Sequence, residues 1–445
     1  MTTTQVLRVL LASAATVFCL QPAHAAIPIQ HWTQPSGAQV FFVESTAIPM
    51  LDVEVDFDAG SRRDPSAQAG LAEVTALMAG KGVVAHGADP ALDENQLGEA
   101  WADLGASFEG SASNDRMSFS LRTLTDPALL PKAVQLAARQ LGEPSWPNDV
   151  WQRERQRLTA AIKEARTRPG TVAQLAFDHA VFGQHPYGLE TTPETLARIG
   201  VADMRAAYAA ISPCRAKISL VGAITRAQAD QIAAQLLSRL PGNKAACAPL
   251  PPVAEVTPLT APADERIAFD SAQAHVLIGQ PGYKRSDPAF FALLVGNHIL
   301  GGGGFTSRLT EQVREKRGLS YSVYSYFSPG LHEGAFTIGL QTRPDQTEQA
   351  LSVARQVLRE FVESGPTEAE LQAAKDNLIG GFALRIDSNR KLLDNVANIA
   401  HNGLPLDYLE RWSERVQAVT AADIRAAFQR VLQPRRMVTI VVGGK

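Results

Sequence analysis

CxxC motifs, runs of basic residues and long apolar stretches beyond the N-terminus are missing from this chain, and each absence closes off a class of function. Three cysteines, Cys19, Cys214 and Cys247, occur in 445 residues; none belongs to a CxxC pair or has histidines placed to complete a tetrahedral zinc set. A formal net charge of −3 without a basic cluster leaves no electrostatic footprint for nucleic acid or anionic lipid, so neither nucleic acid nor a membrane is expected as a partner. Past Leu20 no segment stays apolar for the roughly 20 residues that a bilayer crossing requires.

What is present is typical of a soluble globular protein, with 45% hydrophobic and 20% charged residues. Its length exceeds one ordinary core, so two domains or four small layers are expected. The opening residues resemble a secretory signal: Arg8 gives a positive start, Val9 to Leu20 is apolar, and Ala23-His24-Ala25 is an A-x-A cleavage site. Residues 1–25 are therefore read as a signal peptide, with the mature protein in the periplasm. A membrane anchor is the weaker alternative, because Gln21 and Pro22 interrupt a run that is already short. Lipid attachment at Cys19 is disfavoured by bulky Phe18 and by the later cleavage site. Removal of the signal leaves Cys214 and Cys247 in an oxidising compartment, where one structural disulfide is favoured over two free buried thiols.

The chain repeats itself. Asp203-Met204-Arg205-Ala206-Ala207-Tyr208 is echoed by Asp423-Ile424-Arg425-Ala426-Ala427-Phe428, each followed by a proline and a strand, Lys217 to Gly222 and Val438 to Gly443. A second echo pairs Met117 to Leu124 and the helix 127–141 with Ala335 to Gln341 and the helix 346–362. The separation is near half the chain, which marks a duplicated domain and excludes a short-repeat array. Residues 241–262, rich in proline and alanine, read as a linker between a domain at 26–240 and one at 263–445. Alternation of Val53, Val55 and Phe57 gives a strand, and the order of elements in each half predicts α+β, helices on a largely antiparallel sheet.

The segment Ile299 to Phe327, ILGGGGFTSRLTEQVREKRGLSYSVYSYF, joins a glycine cluster to a helix and an aromatic strand. Leu300, Phe305, Leu309 and Val313 recur at helical spacing, Gly318 ends the helix, and Tyr321 opens the strand. Arg314 and Tyr321 thus meet at one junction, where a guanidinium and a phenol can both donate to a carbonyl oxygen or to the oxyanion formed when it is attacked. The glycines lack P-loop spacing and suit close backbone approach instead.

With Phe57 to Asp64, Gly70-Leu71-Ala72, the FGQHPYG run at 182–188 and the strand-ending Gly222, this segment resembles the pitrilysin, insulysin and mitochondrial processing peptidase family of inverzincin zinc peptidases. The likeness spans almost the whole mature chain and implies two duplicated LuxS/MPP-like metallohydrolase domains. Active members carry H-x-x-E-H on a helix, two imidazoles for zinc and a glutamate as general base. The matching positions here are Glu73, Ala76 and Leu77, and no histidine in the chain is followed by another four residues on. A further family glutamate corresponds to the region Arg153 to Glu164, where Glu154 and Glu164 read as solvated helix charges, and His179 and His185 read as packing or surface residues. No cofactor is therefore expected on this chain, and zinc is expected in a partner. Arg314 and Tyr321 match the family's paired arginine and tyrosine, which bind substrate carbonyls, and the glycine run falls where the non-zinc subunit of the mitochondrial processing peptidase has a loop that handles substrate.

Some bacterial members split the work between a chain with H-x-x-E-H and a chain with only arginine and tyrosine. By resemblance this chain is the second kind, inactive alone, gripping a peptide substrate with Arg314 and Tyr321 as catalytic residues beside a zinc-bearing partner. A homodimer of the isolated chain is compatible with that reading. A scaffold or peptide-binding protein without chemistry is the alternative, and a self-sufficient peptidase using Glu73 the third.

Overall fold

A computed structural model describes residues 27–242 and 247–444; the signal-peptide reading of residues 1–25 lies outside the described residues. Two sheets repeat one plan. In the first, β1 (Gln30–Thr33), β2 (Gln39–Glu44), β8 (Lys217–Gly222), β3 (Met50–Phe57), β7 (Met117–Leu124) and β6 (Ser107–Ala112) lie side by side in that order. In the second the order is β11 (Val323–Phe327), β12 (Ala335–Thr342), β10 (Ala274–Pro281), β13 (Val438–Val442) and β9 (Ala263–Ile267). Read from β6 and from β11, five strands match in order and β1 is an extra edge strand of the first sheet. Each is antiparallel except for one parallel pair, β2 with β8 and β9 with β13. β4 (Gly82–Val83) and β5 (Leu92–Asp93) form a small separate hairpin. The α+β expectation holds, and no helix among the described residues is long and apolar enough to cross a membrane.

Each sheet has one conventional face. Leu51, Val53, Val55 and Phe57 of β3 bury against Leu71 and Val74 of α1 (Leu71–Met78), Leu136 of α2 (Leu130–Gly142) and Leu236 of α6 (Arg226–Leu237). α3 (Asn148–Ala165), α4 (Pro169–Phe182) and α5 (Val201–Tyr208) lie between α2 and α6 in the chain. On the second sheet, Val276, Ile278 and Ile338 bury against Leu293 of α7 (Phe290–Asn297), Leu351 and Leu358 of α8 (Thr347–Ser364) and Phe428 of a helix at Ala421–Val431.

The opposite faces are covered by exchange. α4, from the first half, lies across β10 and β13 of the second sheet, while α9 (Asn389–Asn402), from the second half, lies across β3 and β8 of the first. Under α4 the seam is apolar: Phe177, Ala173 and Val181 pack on Leu277, Val438, Ile440 and Val442. Gly279 permits this, since a Cβ there would sit 2.0 Å from the Phe336 carbonyl oxygen and 2.6 Å from the Phe177 ring. Under α9 the seam is mixed: toward β2 and β8 Phe41, Val43 and Val221 join the apolar core that holds Leu392, Leu393 and Val396, while toward β3 it is polar. Asp52, Glu54 and Asp56 alternate with the apolar residues of β3, on its opposite face, and all three are buried.

The acids are paired from their own sheet. Arg122 lies 2.8 Å from Asp52, and Arg116 bridges Asp56 at 2.7 Å and Glu54 at 3.2 Å. Lys217 donates to the Ala400 and His401 carbonyls at 2.8 and 3.1 Å, tying β8 to α9. Burial first, then the Asp56 charge, push the Glu54 carboxyl up to about 7, and burial followed by the Arg116 charge pulls the His401 imidazole down to about 4. Cys214 and Cys247 form a disulfide, with Cα atoms 5.7 Å apart, resolving the two readings left open by the sequence.

Candidate functional site

The glycine run brings a helix end down onto the rim of the second sheet. Residues His298–Gly302 wind as a π turn, with the Gly303 amide donating to the His298 carbonyl at 2.8 Å. A Cβ at Gly301 would lie 2.4 Å from Ser325 Oγ and 2.5 Å from its amide nitrogen, so glycine is required for the approach. Asn297 then donates to the Ser325 carbonyl at 3.0 Å and accepts from its hydroxyl at 2.8 Å, covering the middle of edge strand β11. Gly304 turns the chain with φ of +62°, and a second π turn, Thr310–Glu315, follows.

Leu309 and Val313 bury into the core, which leaves Arg314 facing the cleft. Gly318, at φ of +60°, ends the turn and its amide donates to the Arg314 carbonyl at 2.8 Å. Two details differ from the sequence expectation. Phe305 is not on the buried helical face but 70% exposed, because the glycine turn rotates it outward; and Tyr321 precedes the strand, which starts at Val323.

Arg314 and Tyr321 line one open cleft of about 520 Å³, together with Phe305, Thr310, Tyr324 and Tyr326. The guanidinium carbon sits 4.7 Å from the Phe305 ring centre and 4.7 Å from that of Tyr321, a cation over two aromatic rings. Its Nε lies 3.2 Å from Glu315; among the described residues no other acceptor meets its N–H groups. Tyr321, 79% exposed, presents its hydroxyl to solvent. Tyr324 and Tyr326 stack alongside, 5.9 Å apart. A planar guanidinium with free N–H donors next to a phenol is suited to gripping a carbonyl oxygen.

The degenerate metal helix is intact as a helix. Asp64 accepts from the amides of Gly70 and Ala72 at 3.0 Å each, anchoring the start of α1, and burial pushes its carboxyl up to about 7. Glu73 sits exposed on the rim with its carboxyl raised by the surrounding protein, Ala76 is buried, and Leu77 is half-buried. A methyl and an isobutyl group cannot replace a general base and an imidazole, so these positions do not fit the zinc of the active family members. Among the described residues no group of three His, Cys, Asp or Glu side chains is arranged to hold a metal.

Glu154 corrects the sequence reading of a solvated charge. It is buried and ringed by Arg157 at 2.8 Å, Arg153 at 3.3 Å and Lys81 at 3.4 Å. Burial pushes its carboxyl up, but the three cations outweigh that and hold it below its ordinary value. Glu164 is exposed and pairs with Arg168 at 2.9 Å, as expected of a surface charge. His185 is a packing residue: its Nδ1 accepts from the Tyr187 amide at 3.1 Å, so Nε2 donates to the Ala254 carbonyl at 3.0 Å, and burial lowers its pKa. His179 is exposed.

Comparison with known proteins agrees with this picture. Residues 40–193 match the model of the insulinase peptidase family M16, and residues 198–378 match that of the peptidase M16 inactive domain. A solved peptidase M16 inactive domain from Pseudomonas fluorescens is 34% identical with a TM-score of 0.87, the match covering 94% of this chain and 98% of that one. The non-peptidase homolog YmxG of Helicobacter pylori is 25% identical over 86% of this chain and 87% of its own length. An uncharacterized zinc protease of Streptomyces coelicolor is 26% identical over 97% of this chain and 93% of its own.

Proposed function

Because the chain belongs to the M16 insulinase family of peptidases and is similar to members described as inactive, we propose that it is the non-zinc subunit of an exported two-chain metallopeptidase. One observation carries this reading: Arg314 and Tyr321 share a cleft with their donors open, while the H-x-x-E-H positions hold Glu73, Ala76 and Leu77. In the closed pair, an H-x-x-E-H subunit supplies the cutting chemistry. Arg314 and Tyr321 donate to the scissile carbonyl and to the oxyanion that replaces it, contacts that strengthen as charge develops. Peptides of many sequences are accepted because the grip is on the main chain. Export to the periplasm fits the A-x-A site at residues 23–25 and the Cys214–Cys247 disulfide.

The test is co-expression with a family subunit that carries H-x-x-E-H, followed by assay of casein hydrolysis by each chain alone and by the pair. Activity is expected from the pair, and Arg314→Ala or Tyr321→Phe in this chain should lower its turnover by about 100- to 1000-fold. Unchanged turnover would convert this chain into a scaffold.

A further inference from the structure

We infer that Phe305 is a positioning residue, which holds the Arg314 guanidinium flat against Tyr321 so that its N–H edge faces the cleft. The inference rests on the proposed grip and adds to it a residue that the sequence assigned to a buried helical face.

Three observations converge on Phe305. First, it is 70% exposed, although Leu309 and Val313 just beyond it are completely buried. Second, the backbone is built to put it there: Gly304 takes φ of +62°, a conformation costly for any residue with a Cβ, and the chain re-enters the core only at Ser307. Third, its ring is as close to the Arg314 guanidinium as that of Tyr321 is, 4.7 Å in each case.

The chemistry follows from the shape of the cation. A guanidinium binds rings through its faces and acceptors through its edge, so occupation of both faces leaves the edge donors available. One ring alone would leave the other face to water and the long side chain free to swing, with loss of rotamer order at each turnover. Glu315 does not replace the second ring, since it meets Nε from a side chain that is itself 53% exposed. Phe305 therefore acts through Arg314.

A double-mutant cycle in the co-expressed pair tests this, with casein hydrolysis as one readout. Phe305→Ala should lower turnover about two- to fivefold with KM little changed, Phe305→Trp should retain it, and Phe305→Leu should resemble the alanine variant. In an Arg314→Ala background, Phe305→Ala should have no further effect; an additive loss would show that Phe305 touches substrate on its own account and would overturn the inference. A second readout needs no partner. In the mature chain labelled with nitrogen-15, the Arg314 Nε–H proton should carry an upfield ring-current shift that falls in Phe305→Ala and Phe305→Leu and persists in Phe305→Trp. A shift indifferent to Phe305 would overturn the inference even if Arg314 proves essential. If Arg314→Ala leaves hydrolysis intact, the grip itself fails, and the spectrum alone decides whether the sandwich exists.

Discussion

The two exchanged helices occupy equivalent places and meet opposite chemistry. α4 covers the second sheet through Phe177, Ala173 and Val181 against aliphatic strands. α9 covers the first sheet over a buried row of Asp52, Glu54 and Asp56, with Arg116, Arg122 and Lys217 among them. The same frame therefore tolerates one seam centred on apolar side chains and one in which an apolar flank, Phe41, Val43 and Val221, is joined by a buried row of paired charges. The apolar seam borders the cleft lined by Arg314 and Tyr321, Tyr326 lining both that cleft and the one beside α4. The half with the charged seam carries Glu73, Ala76 and Leu77 at the H-x-x-E-H positions.

The contrast breaks most readily at Phe177. Phe177→Ala, at a fully buried ring, should cost about 3–5 kcal/mol in urea unfolding. A cost below about 1 kcal/mol would mean that the apolar seam is not what joins the halves.

The charged seam should instead respond to pH, in two opposed ways. Glu54 titrates near 7 in the folded chain against an ordinary 4.5, so the folded state holds its proton longer. On this account stability is full below about 4.5 and falls as pH rises through 7; Glu54→Gln removes that fall, a relative gain on the order of 1 kcal/mol near pH 8 compared with pH 5. His401 goes the other way, titrating near 4 against an ordinary 6.5. Its contribution is full above 6.5 and is lost as pH falls to 4, so His401→Asn should recover somewhat under 1 kcal/mol near pH 5 and nothing near pH 8. Unfolding midpoints of the parent and the two variants across this range check both signs. Flat, parallel curves would show that neither Glu54 nor His401 couples the α9 seam to pH.

Much of this architecture was legible in the sequence. The duplication showed in the repeated Asp-x-Arg-Ala-Ala segments, the strands in their period of two, and the Arg314–Tyr321 junction in the spacing around Gly318, because all of these are local signals. The exchange was not legible, since nothing local distinguishes a helix that covers its own sheet from one that crosses to its neighbour. The burial of Asp52, Glu54 and Asp56 was not legible for the same reason; their cover comes from residues more than 300 positions away. Glu154 misled similarly, its partner Lys81 lying far back in the chain. Phe305 was misplaced because two π turns and a left-handed glycine break the 3.6-residue period on which the reading relied.

The reciprocal lending of α4 and α9 makes the molecule a handshake. A protease that nicks the strap beyond Cys247 would leave two pieces, each carrying the lid the other needs. Such pieces should stay clasped after cleavage, and, made separately, should find one another in solution, which makes this chain a natural candidate for a split reporter whose halves come together without any added tag.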